Sequence, residues 1–249
     1  MREDTVVARL RAAGCVFAED EARLLISTAR STAELDDMVE RRVEGLPLEH
    51  VLGWAEFCGL RVAVDPGVFV PRRRTEFLVR QALSVAADDA VIVDLCCGSG
   101  AVGAALLAAR PFSSVYAADV DPAAVRCARR NLPRVFEGDL YAALPESLRG
   151  TISVLVVNAP YVPTSAIPLM PPEARDHEPL VALDGGTDGL DIQRRVAREA
   201  PSWLAPGGHL LIETSVVQAP ALRECFAQAG LAARVLSEED ATVVIGQTV

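Results

Sequence analysis

The sequence predicts an α/β protein with a seven-stranded, mostly parallel doubly wound sheet, preceded by a small N-terminal helical domain. Three observations lead to this fold class. From about residue 75, apolar stretches of strand length alternate with helical patterns, an order that produces parallel strands joined by crossover helices. Several stretches are apolar throughout, as in strands covered on both faces. The last two stretches follow each other without a helix, so they are expected to add an antiparallel edge.

The first 44 residues have apolar positions at helical spacing. Ser31, followed three residues later by Glu34, resembles a capping box and predicts a helix through residue 43. Gly45 and Pro47 then end the helical pattern. This part of the chain is therefore expected to be a small helical unit.

A hairpin is expected to join this unit to the rest of the chain. Residues 60–64 alternate like a strand, residues 65–67 read Asp-Pro-Gly, and residues 68–70 form a second short strand. The predicted division is residues 1–70, the helical domain with its hairpin linker, and residues 71–249, the domain that carries the sheet.

Strands and helices of the second domain are read in turn from apolar runs and from their Gly and Pro boundaries. Strands are expected at 91–95, 115–118, 135–136, 152–157, 209–213, 231–236 and 242–245. Helices are expected at 75–87, 101–109, 122–130, 190–204 and 221–229. The proline-rich stretch 160–189 is expected to be a loop.

Composition and charge exclude several classes of function. With 51% apolar and 23% charged residues, the chain is globular and not disordered. A formal net charge of −10 disfavours nucleic acid as a partner. The run Arg72-Arg73-Arg74 is a candidate basic patch, although a solvated turn is the favoured interpretation. No membrane span, signal peptide or metal site is expected, and the six cysteines indicate reduced thiols in a cytoplasmic protein. The protein is expected to be a monomer.

The loop after the first strand of the sheet is rich in glycine. Gly98, Gly100 and Gly103 satisfy G-x-G-x-x-G between a strand and a helix, where the backbone can turn tightly and approach a ligand. Asp119 ends the next strand, and a carboxylate there can accept hydrogen bonds from both ribose hydroxyls of an adenosine group. Together these features predict a nucleotide-type ligand.

Two ligand classes fit this pattern, a nicotinamide dinucleotide and S-adenosyl-L-methionine. Asp94 favours the second, because a carboxylate just before the glycine loop would repel a pyrophosphate but suits a cationic amino group and a sulfonium. The alternative is that Asp94 only binds loop amides. Asp139 and Leu140, after the third strand, could hold the adenine or could form a plain turn.

The tetrapeptide Asn158-Ala159-Pro160-Tyr161 follows directly on the fourth strand, at the sheet edge where open α/β sheets bind ligands. A planar NH2 group is a poor nucleophile because its lone pair is delocalised. The carboxamide oxygen of Asn158 and a backbone carbonyl can each accept one of its hydrogens, which aims the lone pair at a sulfonium methyl group. Pro160 stiffens the loop, and Tyr161 can pack on a flat amide or base. The alternative is a simple turn that ends the strand.

The tetrapeptide resembles the N-P-P-Y motif of the protein glutamine-N5 methyltransferases that modify the Gly-Gly-Gln loop of peptide-chain release factors. Residues 93–100 resemble the S-adenosylmethionine loop of that family, and the segments 45–57, 70–76 and 177–183 resemble others of its stretches. The resemblance implies that residues 71–249 form a class I S-adenosylmethionine methyltransferase domain. The implied partner is a release factor or a similar protein.

The resemblance also implies roles for individual residues. Those expected to contact the cofactor are Cys96, Cys97, Gly98, Ser99, Gly100, Asp119 and Leu140, in addition to Asp94, Asp139 and Asn158. Asn158, Ala159, Pro160 and Tyr161 are expected to hold the glutamine.

The chain departs from the family pattern at three places. Ala159 replaces the first proline of N-P-P-Y, and Arg74 stands where the family usually has an acid. The stretch Glu213-Thr214-Ser215 lacks the glycine that usually follows the glutamate of the fifth strand. A divergent paralogue with another protein substrate therefore stays open.

Three other functions also stay open. An N6-adenine nucleic-acid methyltransferase could use the same tetrapeptide, but a flipped base needs a basic channel. A nicotinamide oxidoreductase would leave Asn158 without a task and Asp94 badly placed. A non-catalytic adenosine-binding subunit would have no need of the Asn158 amide.

Overall fold

Three helices form the N-terminal part of the chain in the computed structural model, which describes residues 2–248. They are α1 (Glu3–Ala12), α2 (Ala18–Thr28) and α3 (Thr32–Val43). The Oγ atom of Ser31 accepts a hydrogen bond from the Glu34 backbone N–H at 3.1 Å, so the predicted cap of α3 is present. Their buried side chains form a hydrophobic cluster of their own, which includes Leu10, Leu25 and Val39.

A short helix, α4 (Leu48–Leu52), leads into a hairpin of β1 (Trp54–Phe57) and β2 (Leu60–Ala63). The prediction of a hairpin between 60–64 and 68–70 is wrong, because residues 60–63 pair with the stretch before them. Cys58 and Gly59 form the turn with φ values of +49° and +74°, as a two-residue hairpin turn requires.

The hairpin takes part in the hydrophobic cluster of the sheet. Phe57 and Val62 are buried in the same cluster as Leu78, Ile92 and Leu106. The hairpin thus contributes side chains to the main core. A boundary at residue 70 between two independently folding domains stays a prediction.

The seven-stranded sheet has the predicted class, with the order β5-β4-β3-β6-β7-β9-β8. Its strands are β3 (Val91–Leu95), β4 (Ser114–Asp119), β5 (Val135–Glu137), β6 (Ile152–Val157), β7 (Leu204–Thr214), β8 (Leu231–Glu238) and β9 (Ala241–Thr248). The strands from β3 to β7 pair in parallel, and β9 is inserted antiparallel between β7 and β8. The α/β fold with a mostly parallel sheet is confirmed.

Helices cover both faces of this sheet: α5 (Glu76–Val85), α6 (Ala101–Ala109), α7 (Pro122–Ala128), α9 (Asp191–Glu199) and α10 (Ala219–Gln228). A further helix, α8 (Pro172–His177), has no buried residue and lies in the segment between β6 and α9. The predicted helix 190–204 is shorter, because a 3-10 turn at Ala200–Ser202 with Pro201 follows α9 and β7 already begins at Leu204. The stretch 160–189 is not only a loop, since it contains α8 and two 3-10 turns. No helix in residues 2–248 has both the length and the apolar character to cross a membrane.

The topology brings the chemically interesting segments together. The glycine loop follows β3, Asp119 ends β4, and Asn158 follows β6. The carboxyl ends of these parallel strands meet at one edge of the sheet. This edge is where a ligand is expected.

Candidate active site

A cavity lies at the carboxyl edge of the sheet and contains nearly all the residues singled out from the sequence. Of these, Asp94, Cys96, Cys97, Gly98, Ser99, Asp119, Asp139, Leu140, Asn158, Ala159, Pro160 and Tyr161 line it. Gly100 is absent from its wall. A Cβ atom at Gly100 would lie 3.2 Å from the Cβ of Ala128, so this glycine allows α6 to approach α7.

The glycine loop turns sharply between β3 and α6. Cys96, Gly98 and Gly100 all have positive φ values, +56°, +54° and +78°. The nearest atom to a Cβ at Gly98 would be 4.0 Å away, so the backbone is open on that side. At Gly103, in contrast, a Cβ would lie 2.7 Å from Leu132, which explains why this position needs glycine for close packing.

Asp94 lies at the base of the loop and is 2% exposed. Its Oδ2 atom accepts a hydrogen bond from the Gly103 backbone N–H at 2.9 Å. The pKa of Asp94 is raised to about 7, chiefly by burial and also by the nearby Asp119, while the hydrogen bond from Gly103 lowers it. Asp94 therefore binds a backbone amide in the first turn of α6, while it also lines the cavity. A direct contact with the ligand stays a prediction.

The Asp119 carboxylate connects the glycine loop with the turn that follows β4. Its Oδ2 atom accepts from the Gly98 backbone N–H at 2.8 Å, and its Oδ1 atom accepts from the Asp121 backbone N–H at 2.9 Å. Burial raises the pKa of Asp119, and these backbone donors lower it. A carboxylate oxygen has two lone pairs, so both oxygens can still accept a hydroxyl hydrogen from a ligand.

Asp139 and Leu140 begin the turn after β5. Leu140 has a φ of +50°, is buried and lies on the cavity wall. The Asp139 carboxylate pairs with Arg195 of α9 at 2.6 Å and is about half exposed. The ion pair occupies one carboxylate oxygen, and a contact between Asp139 and an adenine stays a prediction.

The Asn158–Tyr161 segment is fixed by residues far away in the chain. The Nδ2 atom of Asn158 donates to Oγ1 of Thr75 at 3.3 Å. The Tyr161 hydroxyl accepts from Nη2 of Arg74 at 2.7 Å, and the Tyr161 carbonyl accepts from Nε2 of Gln218 at 2.8 Å. Within residues 2–248 no donor reaches the Oδ1 atom of Asn158, which leaves that oxygen free to accept a hydrogen bond from a bound NH2 group.

The arginine run is neither a solvated turn nor a free basic patch. Arg72 pairs with Glu178, whose side chain is 1% exposed. Arg74 contacts Tyr161, and its Nε atom lies 3.5 Å from Oε1 of Glu213. Only Arg73 is exposed. Both expectations were wrong for Arg72 and Arg74, because their buried acidic partners come from distant segments of the chain.

Sequence reasoning missed Thr75, Gln218 and Glu213 as parts of the site. Thr75 and Glu213 stand within stretches that resemble the family, but no spacing rule connects them with Asn158. Gln218 lies 57 residues from Tyr161, and only the folded chain brings the two together. These residues have no local signature, since their roles depend on contacts across the sheet edge.

Replacement of Gly189 by alanine should disturb the Tyr161 loop. Gly189 has a φ of +78°, and a Cβ there would lie 2.2 Å from both Nε2 of Gln218 and the Tyr161 carbonyl oxygen. We expect a loss of about 1–3 kcal/mol in the free energy of unfolding and a turnover about tenfold lower. Denaturant titration and initial rates measure these effects.

Gly150 provides a matched control, with a φ of +71° and no atom within 4 Å of the place that a Cβ atom would take. Gly150→Ala should lose about 1–2 kcal/mol of stability from its backbone conformation alone and should keep full turnover. Equal turnover in both variants would contradict the role given to the Gly189 contact.

Comparison with known proteins places the site in context. Residues 59–167 match the family described as Methyltransferase small domain. The release factor glutamine methyltransferase of Geobacter sulfurreducens is 38% identical over 199 residues, which covers 78% of this chain and 69% of that protein. The protein of the same name from Deinococcus radiodurans is 36% identical and covers 92% of this chain and 90% of its own length.

Among solved structures, a methyltransferase from Pyrococcus furiosus has a similar fold. Its TM-score is 0.58 at 17% identity, and the match covers 85% of this chain and 98% of that chain. At this level of identity the likeness concerns the fold alone. It agrees with the doubly wound sheet.

Proposed function

The chain belongs to the family of release factor glutamine methyltransferases, which use S-adenosyl-L-methionine, and we propose that it methylates a glutamine side-chain amide of a peptide-chain release factor. The observation that carries this proposal is the position of Asn158 on the cavity wall. Thr75 holds its Nδ2 atom, and the Oδ1 atom is left for an acceptor NH2 group.

The residues present fit the cofactor. Asp119 offers free lone pairs to a pair of ribose hydroxyls, and Leu140 offers an apolar surface to an adenine. Asp94 is a buried carboxylate whose pKa is raised, so a cation beside it would stabilise its charged form. When bound, S-adenosyl-L-methionine supplies an electrophilic methyl group on a sulfonium. The open backbone at Gly98 lets a ligand approach the loop closely.

The acceptor amide would be held by Asn158 and by a backbone carbonyl of the same loop. Asn158 accepts one hydrogen of the acceptor NH2 group through Oδ1, and the carbonyl of Ala159 or Pro160 accepts the other. These two contacts favour a tetrahedral nitrogen whose lone pair leaves the amide plane. Tyr161 packs against the flat amide. Orientation and preorganised dipoles lower the barrier. Transfer of the methyl group from sulfur to nitrogen would give an N-protonated amide, a strong acid that loses its extra proton to water, so no strong base is needed.

Ala159 departs from the family pattern without loosening the loop. Its side chain is 2% exposed and packs in the core beside Val157, and its backbone carbonyl is kept. The loop is stiffened instead by the bonds of Tyr161 to Arg74 and Gln218. This supports a working acceptor site despite the missing proline.

The competing substrate is an adenine base, whose exocyclic NH2 group resembles the amide nitrogen. Two of the three arginines in the candidate basic patch pair with Glu178 and Glu213, and the net charge is −10. Little positive charge is thus left to hold a phosphate backbone beside the cavity. A protein acceptor is favoured, and a cytoplasmic monomer remains an expectation.

A cell extract treated with the purified enzyme and methyl-labelled S-adenosyl-L-methionine should yield label on a glutamine. The intact release factor should be a much better substrate than a short peptide with the same Gly-Gly-Gln sequence, because ordering a flexible chain has an entropic cost. Mass spectrometry of the labelled products locates the methyl group. Label on adenine, with none on any glutamine, would overturn the substrate and leave only methyl transfer.

A further inference from the structure

Glu213 is a buried carboxylate near the end of β7. It is 2% exposed, and within residues 2–248 neither of its oxygens accepts a hydrogen bond of ordinary geometry. The Arg74 guanidinium compensates its charge, with Nε 3.5 Å from Oε1, and Thr75 is its other polar neighbour. Burial raises the pKa of Glu213, whereas these two neighbours lower it.

A carboxylate at this place is costly for the fold. The preceding residues of β7, Leu210, Leu211 and Ile212, are fully buried and apolar. An apolar side chain at 213 would avoid the desolvation of a charge. The acid nevertheless neutralises the partly buried Arg74 guanidinium, and the other contacts of Arg74 and Thr75 indicate a further role.

Arg74 and Thr75 are consecutive residues. They bind the two polar side chains of the segment Asn158–Tyr161, called here the acceptor loop. Arg74 donates to the Tyr161 hydroxyl at 2.7 Å. Thr75 accepts from Nδ2 of Asn158 at 3.3 Å. Glu213 thus neighbours the residues that bind Asn158 and Tyr161, although Glu213 itself does not line the cavity.

We propose that Glu213 is a positioning residue for methyl transfer, acting through Thr75 on Asn158 and through Arg74 on Tyr161. A threonine hydroxyl has one hydrogen to donate. When that hydrogen points to Glu213, a lone pair of Oγ1 points to Asn158 and can accept only from its NH2 end. The Asn158 amide is then held with Oδ1 towards the acceptor.

The opposite orientation of the amide would be unproductive. If the Asn158 amide were flipped by 180°, its NH2 group would face the NH2 group of the substrate amide. Two hydrogen-bond donors would then face each other, and no hydrogen bond could form. Without the Thr75 hydroxyl both orientations become accessible. This inference rests on the proposed function, because it assumes that Asn158 binds the acceptor nitrogen.

Thr75→Val tests the proposal, because valine keeps the shape and removes the hydroxyl. We expect kcat to fall about 10- to 100-fold, with S-adenosyl-L-methionine affinity unchanged in calorimetry. Thr75→Ser should restore most of the loss, and Glu213→Gln should lower kcat in the same range. The NMR signal of the Asn158 side-chain NH2 group should shift in Thr75→Val and in Glu213→Gln.

Thr242→Val is the matched control. Thr242 is 1% exposed, and its hydroxyl contacts Ser237 on the neighbouring strand. This variant should keep kcat even if its melting temperature changes. A kcat of Thr75→Val or of Glu213→Gln within twofold of the unmodified enzyme would overturn the proposal, as would a Thr75→Val loss that Thr75→Ser does not restore.

Asn158→Ala separates this inference from the proposed function. If Asn158→Ala abolishes turnover and Thr75→Val does not change it, only the positioning role of Glu213 fails. If Asn158→Ala itself retains full turnover, the acceptor site is wrong and the proposed function fails with it.

Discussion

Asn158→Ala is expected to lower kcat by about 10²- to 10³-fold, the loss typical of one preorganised polar partner of the transition state. The Oδ1 atom of Asn158 is the acceptor on the cavity wall that no residue in the range 2–248 occupies. Its removal leaves one hydrogen of the acceptor nitrogen without a partner. Single-turnover rates with saturating cofactor measure the effect on the chemical step.

The same variant should bind S-adenosyl-L-methionine almost as well as the unmodified enzyme. Asn158 follows β6, whereas the glycine loop follows β3 and Asp119 ends β4, so the cofactor's main contacts stay in place. If the dissociation constant for the cofactor rose as far as kcat fell, Asn158 would be a cofactor-binding residue and its role in holding the acceptor would be refuted.

Asp119→Ala is expected to weaken cofactor binding by about 1–3 kcal/mol, a rise of about 5- to 150-fold in the dissociation constant. The carboxylate would lose its bonds to the ribose hydroxyls. It would also release the Gly98 N–H, which it holds at 2.8 Å, so the glycine loop would lose part of its support. Calorimetric titration with S-adenosyl-L-methionine measures the change.

Ser31→Ala is a suitable comparison, because Ser31 caps α3 by accepting from the Glu34 backbone N–H at 3.1 Å and does not line the cavity. We expect about 1 kcal/mol of lost stability and nearly unchanged cofactor affinity. An Asp119→Ala variant with the affinity of the unmodified enzyme would exclude the ribose contact.

The parts of the fold that could be predicted are those with a local signature. The strand-loop-helix around Gly98 and the acid at Asp119 follow one another within 22 residues, and each has a defined place in a parallel sheet. The tetrapeptide from Asn158 to Tyr161 directly follows an apolar strand. Its position at the sheet edge therefore follows from topology alone.

The hairpin and the support of the acceptor loop could not be predicted. The pairing of β1 with β2 depends on a turn at Cys58 and Gly59, where the cysteine adopts a positive φ that few non-glycine residues take. Gln218 and Thr75 reach the loop from 57 and 83 residues away in the chain. Such contacts are set by the packing of the sheet edge and not by any periodicity.

Arg74 shows how a departure from a family pattern can be understood only in three dimensions. In the sequence it is a basic residue where the family usually has an acid, which suggests an altered substrate. In the structure it pairs with Glu213 and binds the Tyr161 hydroxyl. The departure thus falls within the support of the acceptor loop.

The most direct test of the central claim uses purified release factor, methyl-labelled S-adenosyl-L-methionine and the enzyme. A second sample contains a factor in which the glutamine of the Gly-Gly-Gln loop is replaced by leucine. Stoichiometric label on the first factor and none on the second, with fragmentation placing the methyl group on the glutamine side chain, is the predicted result. Equal labelling of both factors, or of neither, would contradict the account.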